Sequence, residues 1–214
     1  MIGASSLILL KKIAGLTSLI LFIITASIGF VILFTPLYYA TAWLHDLPEQ
    51  LNMSFSTLVE NYHVLLRYLH FPWIQELNMP DFPSSESGLF HFWEVKLLFY
   101  LNYGVLMISG IGSYFYLRYL KRNKRIWNLE KPFFIASLVP PALLFFLAVN
   151  FNRMFVIFHE IFFNNDAWLF NPATDPIILA LPQEFFMYCF ILFFLLIEGA
   201  FISLYRYSRK NGFK

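Results

Sequence analysis

The sequence predicts an all-α integral membrane protein with four transmembrane helices and both termini on the cytoplasmic side. Three observations predict it. Hydrophobic residues make up 59% of the 214-residue chain and charged residues only 13%, which leaves too little polar surface to cover a soluble globule. Four stretches, at about 13–36, 95–117, 133–150 and 184–205, each supply the roughly 20 mostly apolar residues that about 30 Å of hydrocarbon requires. Finally, twelve of the fifteen Lys and Arg residues lie before span 1, between spans 2 and 3, or after span 4. The positive-inside rule makes that side cytoplasmic, and a basic fringe of this kind calls for no nucleic-acid partner.

The first span, "IAGLTSLILFIITASIGFVILFTP", follows Lys11 and Lys12. Its apolar run is too long for a signal-peptide core, so it is expected to remain as an uncleaved span. The next segment, about 37–94, faces outward and is too patterned to be a simple connector. In "TLVENYHVLLRYLHF", Leu58, Tyr62, Leu65, Leu66 and Leu69 recur at helical spacing, which predicts an amphipathic helix on the outer membrane surface or against the bundle. Pro72, Pro80 and Pro83 then predict an irregular excursion. Ser87 is the expected N-cap of span 2, which places His91 in its first turn, where the helix macrodipole favours a neutral imidazole able to accept a proton.

Between spans 3 and 4 runs "NFNRMFVIFHEIFFNNDAWLFNPATDPIILALPQEFF". Asn152, Val156, His159 and Phe163 share one helical face, with Phe155 one turn before His159. Asn164, Asn165 and Asp166 are expected to end that helix. Asp175 and Pro176 read as an N-cap followed by an N1 proline. The segment at about 160–183 is therefore expected to be a re-entrant or interfacial loop, and the extracytoplasmic arm covers about 37–90. No repeat interrupts the chain, and residues 1–214 read as one integral membrane domain.

All five histidines and eleven of the thirteen acidic residues fall on the outer side, so any chemistry is expected there. "HEIFF" begins like a zinc-protease helix, but Phe163 stands where the second histidine is needed. Serine-hydrolase, nucleotide-binding and dinucleotide-binding motifs are absent. Cys189 is the only cysteine and lies inside span 4, so no intrachain disulfide can form, and apolar surroundings make an inert thiol the expected reading. What remains is a set of histidines, carboxylates and amides. His91 has Glu94 three residues on, and His159 has Glu160 beside it. The two histidines can meet if spans 2 and 3 are neighbours, which the short loop between them favours. Asn152, Arg153, Asn164 and Asp166 complete the candidate supporting or substrate-binding residues. No metal site and no cofactor is expected. Two other readings stay open at this point: a copper-handling membrane protein using histidines and methionines, and a non-catalytic assembly subunit. The six methionines are scattered, which counts against the former.

The blocks "ENYHVLLRYL", "SSESGLFHFWEVK" and "FNRMFVIFHEIFFNNDAWLFNPATDPIILALPQEFF" resemble the lipoprotein intramolecular transacylases, small membrane proteins of Gram-positive bacteria, and the similarity runs over nearly the whole chain. The resemblance implies transfer of the sn-2 acyl chain of a diacylglyceryl group to the α-amino nitrogen of a lipoprotein's N-terminal cysteine, giving a lyso-form lipoprotein. It also places the family's two important histidines on His91 and His159; for the reaction it implies, His159, oriented by Glu160 or the asparagines after it, is expected to take the amine proton and His91 to protonate the departing glycerol oxygen, or the two exchange these roles. Glu94 stands where the family often has aspartate, which changes reach rather than chemistry. The implied partners are a diacylated bacterial lipoprotein and membrane lipid, acted on by an enzyme of the cell membrane whose active site faces outward; a monomer is expected. The absence of Ser, Cys and Thr nucleophile motifs fits such a reaction, because the substrate carries its own amine nucleophile.

Overall fold

The computed structural model describes residues 4–211, and no strand occurs among the described residues. The helices are α1 (Ala4–Leu33), α2 (Pro36–Leu44), α3 (Leu47–Gln50), α4 (Phe55–His70), α5 (Glu86–Arg122), α6 (Glu130–Ala136), α7 (Val139–Val149), α8 (Phe151–Phe162), α9 (Ile177–Ala180) and α10 (Gln183–Asn211), with a 3-10 turn at Ile126–Leu129. Four helical stretches are long and apolar enough to cross a membrane: Ser6–Leu33, Glu86–Arg122, Ile126–Val149 and Gln183–Asn211. Many of their large side chains point outward, such as Ile108 at 70% and Phe145 at 64% exposure. That inversion of the soluble pattern is stable only when hydrocarbon is the solvent. The protein is a multi-pass membrane protein.

Each span departs from its predicted bounds for a local reason. Helix α1 contains Lys11 and Lys12 rather than following them, and the chain restarts as α2 with Pro36 in its first turn. Helix α5 extends to 37 residues, well beyond the apolar window, because its polar ends continue the same hydrogen-bond ladder. The third span is broken. Ser137 and Leu138 form a turn between α6 and α7, and Pro140 and Pro141 occupy the first turn of α7, where a missing N–H costs nothing.

The described chain folds as two compact units. One draws on the chain up to Ile32, on Asn102–Phe146 and on the chain from Ile191, around a core of Leu19, Ile23, Tyr116, Leu120, Phe133, Ile197 and Phe201. Within it, Gly15 leaves room for the Tyr116 ring and Gly112 for Ser18, the small-residue device that lets membrane helices approach closely.

The second unit comprises Leu33–Leu101 and Leu147–Phe190 and holds every candidate site residue. Its core joins Tyr38, Leu58, Tyr62, Leu65, Leu69, Ile177 and Phe185. Tyr38 and Tyr62 stack with centroids 3.8 Å apart, and Phe185 meets both edge-on. The predicted apolar face of α4 is therefore buried in this unit. Ser54 caps α4 by accepting from the Thr57 N–H at 3.0 Å.

After α4 the chain is irregular to Ser85, as the prolines predict. It is held by Asn61, fully buried, whose Nδ2 donates to Asp81 Oδ2 at 2.7 Å while its Oδ1 accepts from the Asp81 N–H at 3.1 Å. Asn61→Ala strands the Asp81 N–H. Thermal unfolding in detergent is expected to show a loss of about 1–3 kcal/mol.

Two caps differ from their predictions. Ser85, not Ser87, caps α5, with its Oγ accepting from the Gly88 N–H at 3.0 Å. His91 therefore lies in the second turn, past the reach of the helix-end field. Asp175 does not cap α9, since its carboxyl turns instead to Ser85.

Candidate active site

Helix α8 begins at Asn150, whose Oδ1 accepts from the Arg153 N–H at 3.1 Å. This cap sets the helical register that points His159 inward: His159 is 8% exposed while its neighbours Glu160 and Ile161 are exposed. His91, 7% exposed, enters from α5. The two imidazole centroids lie 5.9 Å apart, with planes inclined at 37°. Residues 68 positions apart in the chain thus form one pair.

The pair sits in an aromatic box. Trp168 stacks on His159 at 4.6 Å and Phe163 at 5.6 Å, while Phe155 lies 4.3 Å away. Phe163 and Phe170 meet His91 edge-on at 4.7 and 5.5 Å. Such rings exclude water and fix both imidazole planes.

His159 Nδ1 lies 2.7 Å from the Phe155 carbonyl oxygen. A carbonyl only accepts, so Nδ1 carries the proton and donates, which leaves Nε2 of the neutral ring with a free lone pair. Burial lowers the His159 pKa from its ordinary 6.5, and the bond to Phe155 opposes part of that shift. His91 Nδ1 is buried and has no hydrogen-bond partner among the described residues. Two imidazolium charges at this separation would repel by about 3 kcal/mol at an effective dielectric constant near 20. The pair therefore does not carry two charges at once, so a proton taken up by one ring must leave before the other ring can be charged.

The supporting residues divide. Glu94 is brought in, but it does not bond to His91: its Oε1 accepts from Asn165 Nδ2 at 2.9 Å. Its Oε2 is buried with no partner among the described residues. Asn152, Arg153, Glu160, Asn164 and Asp166 are all exposed. The expected orientation of His159 by Glu160 or the following asparagines is replaced by the backbone of Phe155, one helical turn back.

Sequence reasoning gave Asn165, Trp168, Phe170 and Asp175 no named role in the site. Asn165 Oδ1 also accepts from the Ala167 N–H at 2.9 Å, an Asx turn that aims Nδ2 at Glu94. Nothing in the run Asn164–Asp166 distinguishes the middle residue, because a loop has no period from which to read a face.

Among the described residues no group of three or more His, Cys, Asp and Glu side chains is placed to hold a metal, and nothing in the site favours the copper-handling alternative.

Comparison with known proteins bears on this geometry. No curated protein matches the sequence. The family model of the lipoprotein intramolecular transacylase Lit matches residues 13–186. The structure is similar to the in meso structure of the membrane-integral transacylase Lit from Bacillus cereus, at 32% identity and a TM-score of 0.88, covering 94% of this chain and 95% of that one. It is also similar to two structures of that protein in which a histidine is replaced by arginine or by alanine. Both have 30% identity and a TM-score of 0.80 and cover 94% of this chain, with 90% and 91% of the respective solved chains covered. With a family match over most of its length, and a fold shared over 94% of the chain with a solved member, this chain belongs to the lipoprotein intramolecular transacylase family.

Proposed function

We propose that His91 and His159 carry the proton transfers of an intramolecular acyl transfer on a bacterial lipoprotein. The observation that carries the reading is the buried imidazole pair at 5.9 Å, with His159 Nδ1 committed to a carbonyl. As a family member the chain is an acyltransferase acting on lipoproteins in the membrane. The substrate is the diacylglyceryl-modified N-terminal cysteine, and its sn-2 acyl chain passes to the α-amino nitrogen.

The balance of the reaction fits the pair. The amine attacks the ester carbonyl carbon, so a C–N bond forms and the C–O bond to glycerol breaks. One proton leaves nitrogen and one arrives on the glycerol oxygen. His159 Nε2 takes the first, that charge passes to His91, and His91 delivers it to the glycerol oxygen, so the pair never carries more than one extra proton and ends neutral as it began. Donor and acceptor belong to one molecule, so holding the substrate bent supplies a large part of the rate through effective molarity.

Glu94 Oε2, an acceptor with no partner among the described residues, suits the incoming ammonium, whose extra proton passes to water before the free amine attacks. The exposed Asn152, Arg153, Asn164 and Asp166 are left for the peptide or the oxyanion at the rim. One chain supplies both imidazoles, which suits a monomer. His91 lies near the end of α5 opposite Lys121 and Arg122, so the charge distribution supports an extracytoplasmic site with cytoplasmic termini.

Expression in a host lacking the activity, followed by lipopeptide mass analysis, tests this reading. Loss of O-acyl and gain of N-acyl at the N-terminal cysteine is expected, and an unchanged acylation pattern rejects it. The His159 base must be neutral, and burial keeps it neutral to a pH below 6.5. The sign is therefore fixed: activity is retained as pH falls through 6.5 and is lost only below it. Initial rates against pH with a synthetic diacyl lipopeptide measure that acid limb.

A further inference from the structure

The loop between α8 and α9 carries Trp168 and Phe170 onto the two histidines, and one buried joint holds it down. Asp175, 3% exposed, accepts at Oδ1 from the Ser85 N–H at 2.8 Å, lies 2.8 Å from Ser85 Oγ at its Oδ2, and receives Thr174 Oγ1 at 2.7 Å. Ser85 Oγ in turn caps α5 through the Gly88 N–H. A methyl group at Gly88 would run into Asp175 Oδ1, so the closeness of helix and loop depends on glycine. Ser85 and Asp175 are 90 residues apart. Among the described residues the joint makes no hydrogen bond to either imidazole, yet it connects the start of the helix bearing His91 to the loop that covers both rings.

We propose that Asp175 is a positioning residue for the transacylation: through Ser85 it registers the Trp168–Phe170 loop against the first turn of α5, and so keeps the imidazole pair aligned and dry. This rests on the reading that His91 and His159 carry the acyl transfer. Released from Asp175, the loop has its Glu94–Asn165 bond as the remaining side-chain hydrogen bond to α5 among the described residues. Trp168 would then move off His159 and water would enter. The groups packed on His159 are Trp168 from the loop, His91 from α5, and Phe155, Phe158 and Phe163 from its own helix and its end. Of these, His91 alone titrates. Hydration therefore acts on His159 by removing the desolvation that depresses its pKa, and that pKa rises toward 6.5.

The test compares Asp175→Ala, the milder Ser85→Ala, and Asp175→Asn, in the full-length enzyme in nanodiscs with a synthetic diacyl lipopeptide. Asp175→Ala is expected to lower kcat by about 10- to 100-fold, the cost of a misplacement of about 1 Å, with KM changed by less than about twofold. Its acid limb moves up in pH, and the His159 titration followed by 15N-imidazole NMR moves with it. Ser85→Ala shifts both in the same direction by less. Asp175→Asn keeps an oxygen for both Ser85 donors, and the Thr174 hydroxyl can turn to accept from its amide, so the wild-type limb is restored. A His159 titration and acid limb unmoved in Asp175→Ala, whether or not the rate falls, overturn the proposal, because a merely structural role scales the rate at all pH values alike. If His159→Asn itself proves fully active, the assignment of the histidines fails instead, and the NMR titration still reports on the joint.

Discussion

Replacing either His91 or His159 with alanine is expected to lower the transacylation rate by about 10²–10⁴-fold, the usual worth of a general acid or base. The two rings lie 5.9 Å apart in one aromatic box, and the reaction needs a proton removed at one point and delivered at another. Loss of either ring interrupts the same path, so the double variant should be no slower than the slower single variant, as groups that act as a unit are strongly non-additive. Both side chains are buried among apolar rings, where alanine leaves a cavity but no unpaired polar atom except the Phe155 carbonyl, which still belongs to a helix. Thermal unfolding should therefore show folded protein in each case. Residual substrate and N-acyl product counted by mass spectrometry give the rates. Near wild-type rates in both variants, or losses that multiply in the double, would remove the paired-imidazole mechanism.

Substitution of Glu94 separates the two jobs proposed for its carboxylate. Glu94→Gln retains an oxygen for Asn165 Nδ2 and so keeps the loop bond, but it gives up the charge that Oε2 offers a substrate ammonium. A hydrogen bond to a charged group is worth about 1.5–3 kcal/mol, so the glutamine variant is expected to raise KM by about 10- to 100-fold. Glu94→Ala also frees Asn165 and should lose kcat as well. Kinetics with the lipopeptide resolve the split. Equal losses in the two variants would mean that the bond to the loop does nothing and that only the charge matters; a glutamine variant with unchanged KM would remove Glu94 from substrate binding.

Much of this architecture is legible in one dimension. The four spans follow from runs of apolar residues, and the buried face of α4 follows from the spacing of Leu58, Tyr62, Leu65 and Leu69, because lipid and water impose their pattern residue by residue. Span ends are less legible. The 37-residue α5 continues past its apolar window, since hydrogen-bond ladders do not stop where hydropathy falls. The break before α7 needed its two prolines to be placed in a first turn rather than a middle one. At the site, His91 and His159 stand out from the resemblance and from their acidic neighbours, but those neighbours mislead. Glu160, adjacent in sequence, points away from the ring it was expected to orient, because successive residues on a helix are separated by about 100°.

The sequence by itself determined the class of protein, the number of spans, and the two histidines worth examining, because each of these is written in local composition and periodicity or in recognisable blocks. Only the tertiary structure decided that Phe155 rather than Glu160 orients His159, that Asn165 rather than Asn164 or Asp166 meets Glu94, and that Asp175 leaves its own helix to join Ser85. Two of these contacts bridge 71 and 90 residues and start from irregular chain. There no period assigns a face, and a side chain's partner is chosen by whichever buried polar group the packed neighbour presents.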